Sequence, residues 1–131
     1  MGILREALAA KGWHVDDLQV EIMVMSGVED GLVMSYSTTN GDGVLDDDEW
    51  VITLGRRDDN DMCLRNDTFA SRYHSRLHLR GESWWLEDCN SKNGTFVEED
   101  DEDARVSGTI ELSTGQLFRV GRTWLRIQTE G

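Results

Sequence analysis

Beyond Asp17 the apolar residues recur with a period of two, and glycine interrupts the pattern repeatedly. Val20, Ile22 and Val24 alternate with Glu21, Met23 and Met25, as in a strand that buries one face and solvates the other. Further strand candidates are 32–37, 50–54, 62–64, 76–80, 83–87, 95–97, 117–120 and 123–128. Arg80-Gly81-Glu82-Ser83 and Val120-Gly121-Arg122-Thr123 predict tight turns between antiparallel neighbours. About ten short strands at this spacing predict an all-β sandwich over residues 20–128. Alternation points Ile22, Val24, Ile52, Leu54, Leu77, Leu79, Leu86, Phe118, Val120, Leu125 and Ile127 inward.

The first 19 residues read differently. Ile3, Leu4, Ala7 and Leu8 recur at helical spacing around Arg5 and Glu6, and Gly12 stands where a helix C-cap belongs. A short amphipathic helix is expected over 3–11, ahead of the sandwich, free to pack on the domain, pair with another copy or bind a different protein partner.

Charge narrows the function. With 13 Lys+Arg against 26 Asp+Glu, the formal net charge is −13, the wrong sign for phosphate-backbone contacts with nucleic acid or for adhesion to an anionic membrane. The sequence has no apolar run of signal-peptide or membrane-spanning length, so a cytoplasmic protein is expected. Cys63 and Cys89 cannot alone build a disulfide framework or a zinc site. Two acidic stretches, 38–49 and 98–108, predict long solvated loops, and Glu98 to Asp103 is six carboxylates in succession.

The basic residues are not spread evenly. Seven of the 13 (Arg56, Arg57, Arg65, Arg72, Arg76, Arg80 and Lys92) fall between Trp50 and Asn93, so an acidic chain keeps a local basic patch. The same region places Gly55-Arg56 at a strand end, Ser71-Arg72-Tyr73-His74 before a strand, and Asp88-Cys89-Asn90-Ser91-Lys92-Asn93-Gly94-Thr95 in a turn. Guanidinium forks suit tetrahedral phosphate, hydroxyls add neutral donors, and an asparagine brackets a peptide backbone with donor and acceptor.

Taken in order, Gly55-Arg56, Ser71-Arg72-x-His74, Asp88-x-x-Ser91-x-Asn93-Gly94-Thr95 and Leu117-Phe118-Arg119-Val120-Gly121 resemble the forkhead-associated (FHA) domain over residues 20–128. The resemblance implies an eleven-stranded β-sandwich with its site on the loops at one end, and binding of phosphothreonine proteins or peptides in Ser/Thr kinase signalling. It implies that Arg56, Ser71, Arg72 and Lys92 contact phosphate, that Asn93 holds the peptide backbone, and that Gly55, His74 and Gly94 support the loops. No cofactor is expected. The net charge favours phosphopeptides with basic flanks over acidic ones.

Two other chemistries find partial matches in the sequence. The stretch 38–49 carries Asn40, Asp42, Asp46 and Glu49 at EF-hand offsets, an alternative function as a calcium-binding loop on a sandwich scaffold, but Thr38 stands where the first carboxylate belongs. Catalysis has no positive support. His74 and His78 are four apart as in a zinc-protease helix, yet Ser75 stands where its glutamate would be, in a segment that alternates like a strand.

Overall fold

The structure is a computed structural model that describes residues 18–27, 30–46 and 49–128. The helix expected over 3–11 lies outside these residues. Twelve strands form two stacked sheets. They are β1 (Gln19–Ser26), β2 (Val33–Ser37), β3 (Val44–Asp46), β4 (Glu49–Gly55), β5 (Met62–Cys63), β6 (Ser75–Arg80), β7 (Ser83–Asp88), β8 (Thr95–Glu99), β9 (Glu102–Arg105), β10 (Thr109–Leu112), β11 (Leu117–Val120) and β12 (Thr123–Gln128). One sheet runs β2-β1-β12-β11-β8-β9, and the other β10-β7-β6-β4-β3, with β5 alongside β4. Pairing is antiparallel except between β4 and β5.

Period-two patterning places the core. Ile22, Val24, Phe118, Val120, Leu125 and Ile127 from the first sheet face Ile52, Leu54, Leu77, Leu79 and Leu86 from the second, and all eleven are buried. Trp50, which the alternation did not single out, is the largest wholly buried side chain. It shares a face with Ile52 and Leu54, donates its indole N–H to the Asp42 carbonyl at 2.9 Å, and packs 6.0 Å from Trp84. Trp85 and Trp124 are half-buried under the Arg80 and Arg119 guanidinium groups. Both predicted hairpins form, with Arg80 opposite Ser83 and Val120 opposite Thr123.

The two acidic stretches correct the expectation of long loops. In the first, β3 pairs with β4 through Val44↔Val51, Leu45↔Trp50 and Asp46↔Glu49. In the second, Glu98↔Asp103 and Glu99↔Glu102 pair across the β8–β9 hairpin. Its turn residues Asp100 and Asp101 have φ of 49° and 68°, left-handed geometry that aspartate tolerates better than most side chains. Both added strands lie at sheet edges, where carboxylates stay in water and block further pairing. With β10, which the sequence reading also missed, they bring the nine strand candidates of the sequence to twelve. Among the described residues no helix is long and apolar enough to cross a membrane.

Candidate functional site

The segments after β4, before β6 and between β7 and β8 meet at one end of the sandwich. Backbone bonds lock them together: Arg56 N–H donates to the Ser71 carbonyl at 2.9 Å, His74 N–H to Leu54 at 3.0 Å, and Cys89 N–H to His74 at 2.9 Å. Gly55 lets two of these segments touch, because a Cβ there would overlap the Arg72 carbonyl oxygen.

Buried polar side chains finish the frame. His74 is fully buried; its Nδ1 accepts the Ser71 N–H at 2.9 Å, so Nε2 carries the hydrogen and donates to the Gly94 carbonyl at 2.9 Å. Asp88 accepts the Ser91 N–H and the hydroxyls of Ser91 and Thr95, the latter two at 2.6 and 2.7 Å. The Ser91 hydroxyl oxygen in turn accepts the Gly94 N–H at 3.0 Å. Two further braces escaped the sequence reading. Asn60 donates its amide to the carbonyls of Arg57 and Arg72 at 2.9 and 2.8 Å. Asp67 takes the N–H groups of Phe69 and Arg122 and the Thr123 hydroxyl, joining the loop before β6 to the β11–β12 turn. Neither carries a sequence signal, since an isolated Asn or Asp in a loop looks solvated.

Against this frame the functional candidates stand outward. Arg56, Arg72, Lys92 and Asn93 are exposed and Ser71 is half-buried. The Ser71 oxygen accepts the Lys92 N–H at 3.0 Å, and a hydroxyl that accepts in this way still has its own proton to donate. Asn93 donates its amide to the Phe69 carbonyl at 2.8 Å, which fixes the orientation of its side-chain oxygen. Phe69 is itself exposed, with the Arg122 guanidinium 3.6 Å from its ring centroid.

Ion pairing divides the seven basic residues of the window. Arg76 pairs with Glu87, Arg80 with Glu49, and Arg57 with Asp59. Among the described residues, Arg56, Arg65, Arg72 and Lys92 have no carboxylate partner. In a chain of net charge −13, cations without a carboxylate partner among the described residues, set on braced loops, keep their charge and donors available to an anion.

The calcium candidates are dispersed among structural contacts. Asp42 accepts the Ser37 N–H, Asn40 N–H donates to the Ser37 hydroxyl, Asp46 faces Glu49 across β3–β4, and Glu49 accepts Arg80. Among the described residues no group of three His, Cys, Asp or Glu side chains is placed to hold a metal ion.

Burial pushes the His74 imidazole below its ordinary value, only partly offset by its bond to Gly94. The native state therefore binds fewer protons than the unfolded chain once the pH drops below the unfolded histidine value of about 6.5. The contribution is complete above that pH and is lost as pH falls towards the folded value. Urea denaturation at pH 7 and pH 5 is expected to show wild type losing more stability on acidification than His74→Gln, which starts lower but lacks this proton. Equal losses would contradict a buried neutral imidazole.

The family model of the FHA domain matches residues 52–121. The FHA domain-containing protein FhaB of Mycobacterium tuberculosis is 34% identical over 80 residues, covering 61% of this chain and 48% of that protein. The chain thus spans about half the length of the curated relatives it matches. A solved structure from work on phosphothreonine-dependent FHA domain interactions superposes with a TM-score of 0.64 at 24% identity, covering 87% of this chain and 99% of the other. The FHA domain of CT664 from Chlamydia trachomatis gives 0.68 at 21% identity, covering 87% and 100%. With the family's motif residues gathered at one end of a two-sheet sandwich, this chain belongs to the forkhead-associated domain family.

Proposed function

We propose that residues 20–128 form a phosphothreonine-dependent interaction module that binds phosphorylated proteins or peptides in Ser/Thr kinase signalling, with no catalytic role. The observation that carries it is the set of cations without a carboxylate partner among the described residues, Arg56, Arg72 and Lys92, on the segments bonded to the half-buried Ser71. A phosphothreonine brings about −1.5 to −2 charges and three acceptor oxygens at neutral pH. Arg56 offers a planar fork, Ser71 one hydroxyl proton, and Arg72 and Lys92 further charge. Asn93 accepts a peptide N–H beside the phosphorylated residue, its orientation fixed by Phe69. The solved FHA domain with phosphothreonine-dependent interactions supports this reading by family. The chain itself supplies the matching Gly55-Arg56, Ser71-x-x-His74 and Asn93-Gly94 residues.

Preorganisation matters here. Every loop carrying a contact residue is held by hydrogen bonds to its neighbours, many of them buried or part-buried, so little ordering opposes binding. Calorimetric titration with a degenerate phosphothreonine peptide pool is expected to give saturable binding, with the unphosphorylated pool silent and the phosphoserine pool weaker. Equal heats from phosphorylated and unphosphorylated pools would overturn the proposal.

A further inference from the structure

One more unpaired cation reaches the same end of the sandwich from the other sheet. Arg105 closes β9; it is exposed and has no carboxylate partner among the described residues. Its guanidinium lies over the turn after Asn93, for a Cβ added to Gly94 would stand 3.1 Å from its Nε and 3.2 Å from its Cζ. Arg105 also lines an open recess of about 430 Å³ with Asp88, Asn90, Val106, Ser107 and Gly108. The recess lies between the β7–β8 loop and the β9–β10 connection.

Its walls are fixed and its free groups are donors. Val106 is buried and its N–H donates to Thr95 at 2.8 Å, while Asp88 N–H donates to the Gly108 carbonyl at 3.0 Å. The Asp88 carboxylate already accepts three hydrogen bonds from Ser91 and Thr95, which use most of its acceptor capacity and leave Arg105 to offset its charge. Asn90 and Ser107 are exposed and offer an amide and a hydroxyl. The nearest carboxylate on the same face of β9 is Asp103, paired with Glu98 and about 7 Å further along the strand. That distance weakens Arg105's field without satisfying its hydrogen bonds.

We propose that this recess is an accessory subsite for a second anionic side chain of the bound phosphopeptide, carboxylate or phosphate, with Arg105 supplying the charge and Asn90 and Ser107 the neutral donors. The inference rests on the phosphothreonine reading of the principal site. It adds one position along the peptide where the general preference of an acidic protein for basic flanks reverses.

The test is a phosphothreonine peptide library in which each flanking position in turn is fixed as alanine, lysine, glutamate or a second phosphothreonine. It is titrated into wild-type protein, Arg105→Gln and Ser107→Ala, each checked for an unchanged melting temperature. At one position glutamate is expected to bind wild type about two- to fivefold better than alanine, the range of an exposed charge pair. That ratio falls to about one in Arg105→Gln and part of the way in Ser107→Ala. A gain with glutamate, with the second phosphate or with both supports the subsite and names its anion. A preference undiminished in Arg105→Gln, or no anionic preference at any position of a library that binds phosphate-dependently, would overturn it. Wild-type binding that ignores the central phosphate would instead overturn the principal reading, and the subsite with it.

Discussion

Arg56→Ala is expected to weaken phosphothreonine-peptide binding by about ten- to a hundredfold, the loss of a charge-assisted contact of about 1.5–3 kcal/mol. The side chain is exposed and has no ion-pair partner among the described residues, so its removal leaves no buried charge behind. Its structural contribution is the backbone N–H bond to Ser71, which alanine keeps. Stability should therefore move within about 0.5 kcal/mol, as for surface substitutions generally. Arg56→Lys is expected to fall between the two, retaining charge but not the bidentate fork. Calorimetry and thermal melts on the three proteins separate the two effects. An Arg56→Ala protein with wild-type affinity would remove this residue from the site.

What the sequence made legible follows from which forces act locally. Strands with one face buried write their burial into a period of two, so the eleven inward residues could be read directly. Edge strands such as β3 and β9 write only a faint signal, because each sets a single apolar residue, Leu45 or Ala104, against the core. Their existence rests on backbone pairing, as where Phe96 and Arg105 align, and on a turn that Asp100 and Asp101 accept at positive φ. The site divides in the same way. Arg56, Ser71 and Asn93 were legible through a spaced motif, since contact with a charged ligand demands particular side chains. Asn60 and Asp67 were not, because each bridges segments distant in sequence: Asp67 reaches Thr123 across 56 positions. That Arg76 and Arg80 have carboxylate partners while Arg56 and Arg72 have none among the described residues likewise depends on which strands lie side by side.

Gly55→Ala is expected to cost about 3 kcal/mol of stability, at the upper end of overpacking effects, and to take ligand binding with it. The reason is space. A Cβ at this position would overlap the Arg72 carbonyl oxygen and stand 2.8 Å from the Asn60 amide nitrogen, both part of the interlock between loops. Backbone cannot rotate away as a flexible side chain would, so the segments carrying Arg56 and Arg72 must separate. Gly115 makes the useful contrast, with φ of 84° and nothing within 4 Å of an added Cβ. There alanine meets only the left-handed backbone penalty of about 1–2 kcal/mol, at a turn away from the candidate site. Asn60→Ala provides a milder break of the same interlock, deleting the two bonds to Arg57 and Arg72 without forcing overlap, at about 1–3 kcal/mol. Urea denaturation and phosphopeptide titration on the three variants should order stability as Gly115→Ala highest and Gly55→Ala lowest. Affinity should fall with the interlock and not with stability as such. A Gly55→Ala protein as stable as Gly115→Ala would mean that the two loops do not meet through Gly55.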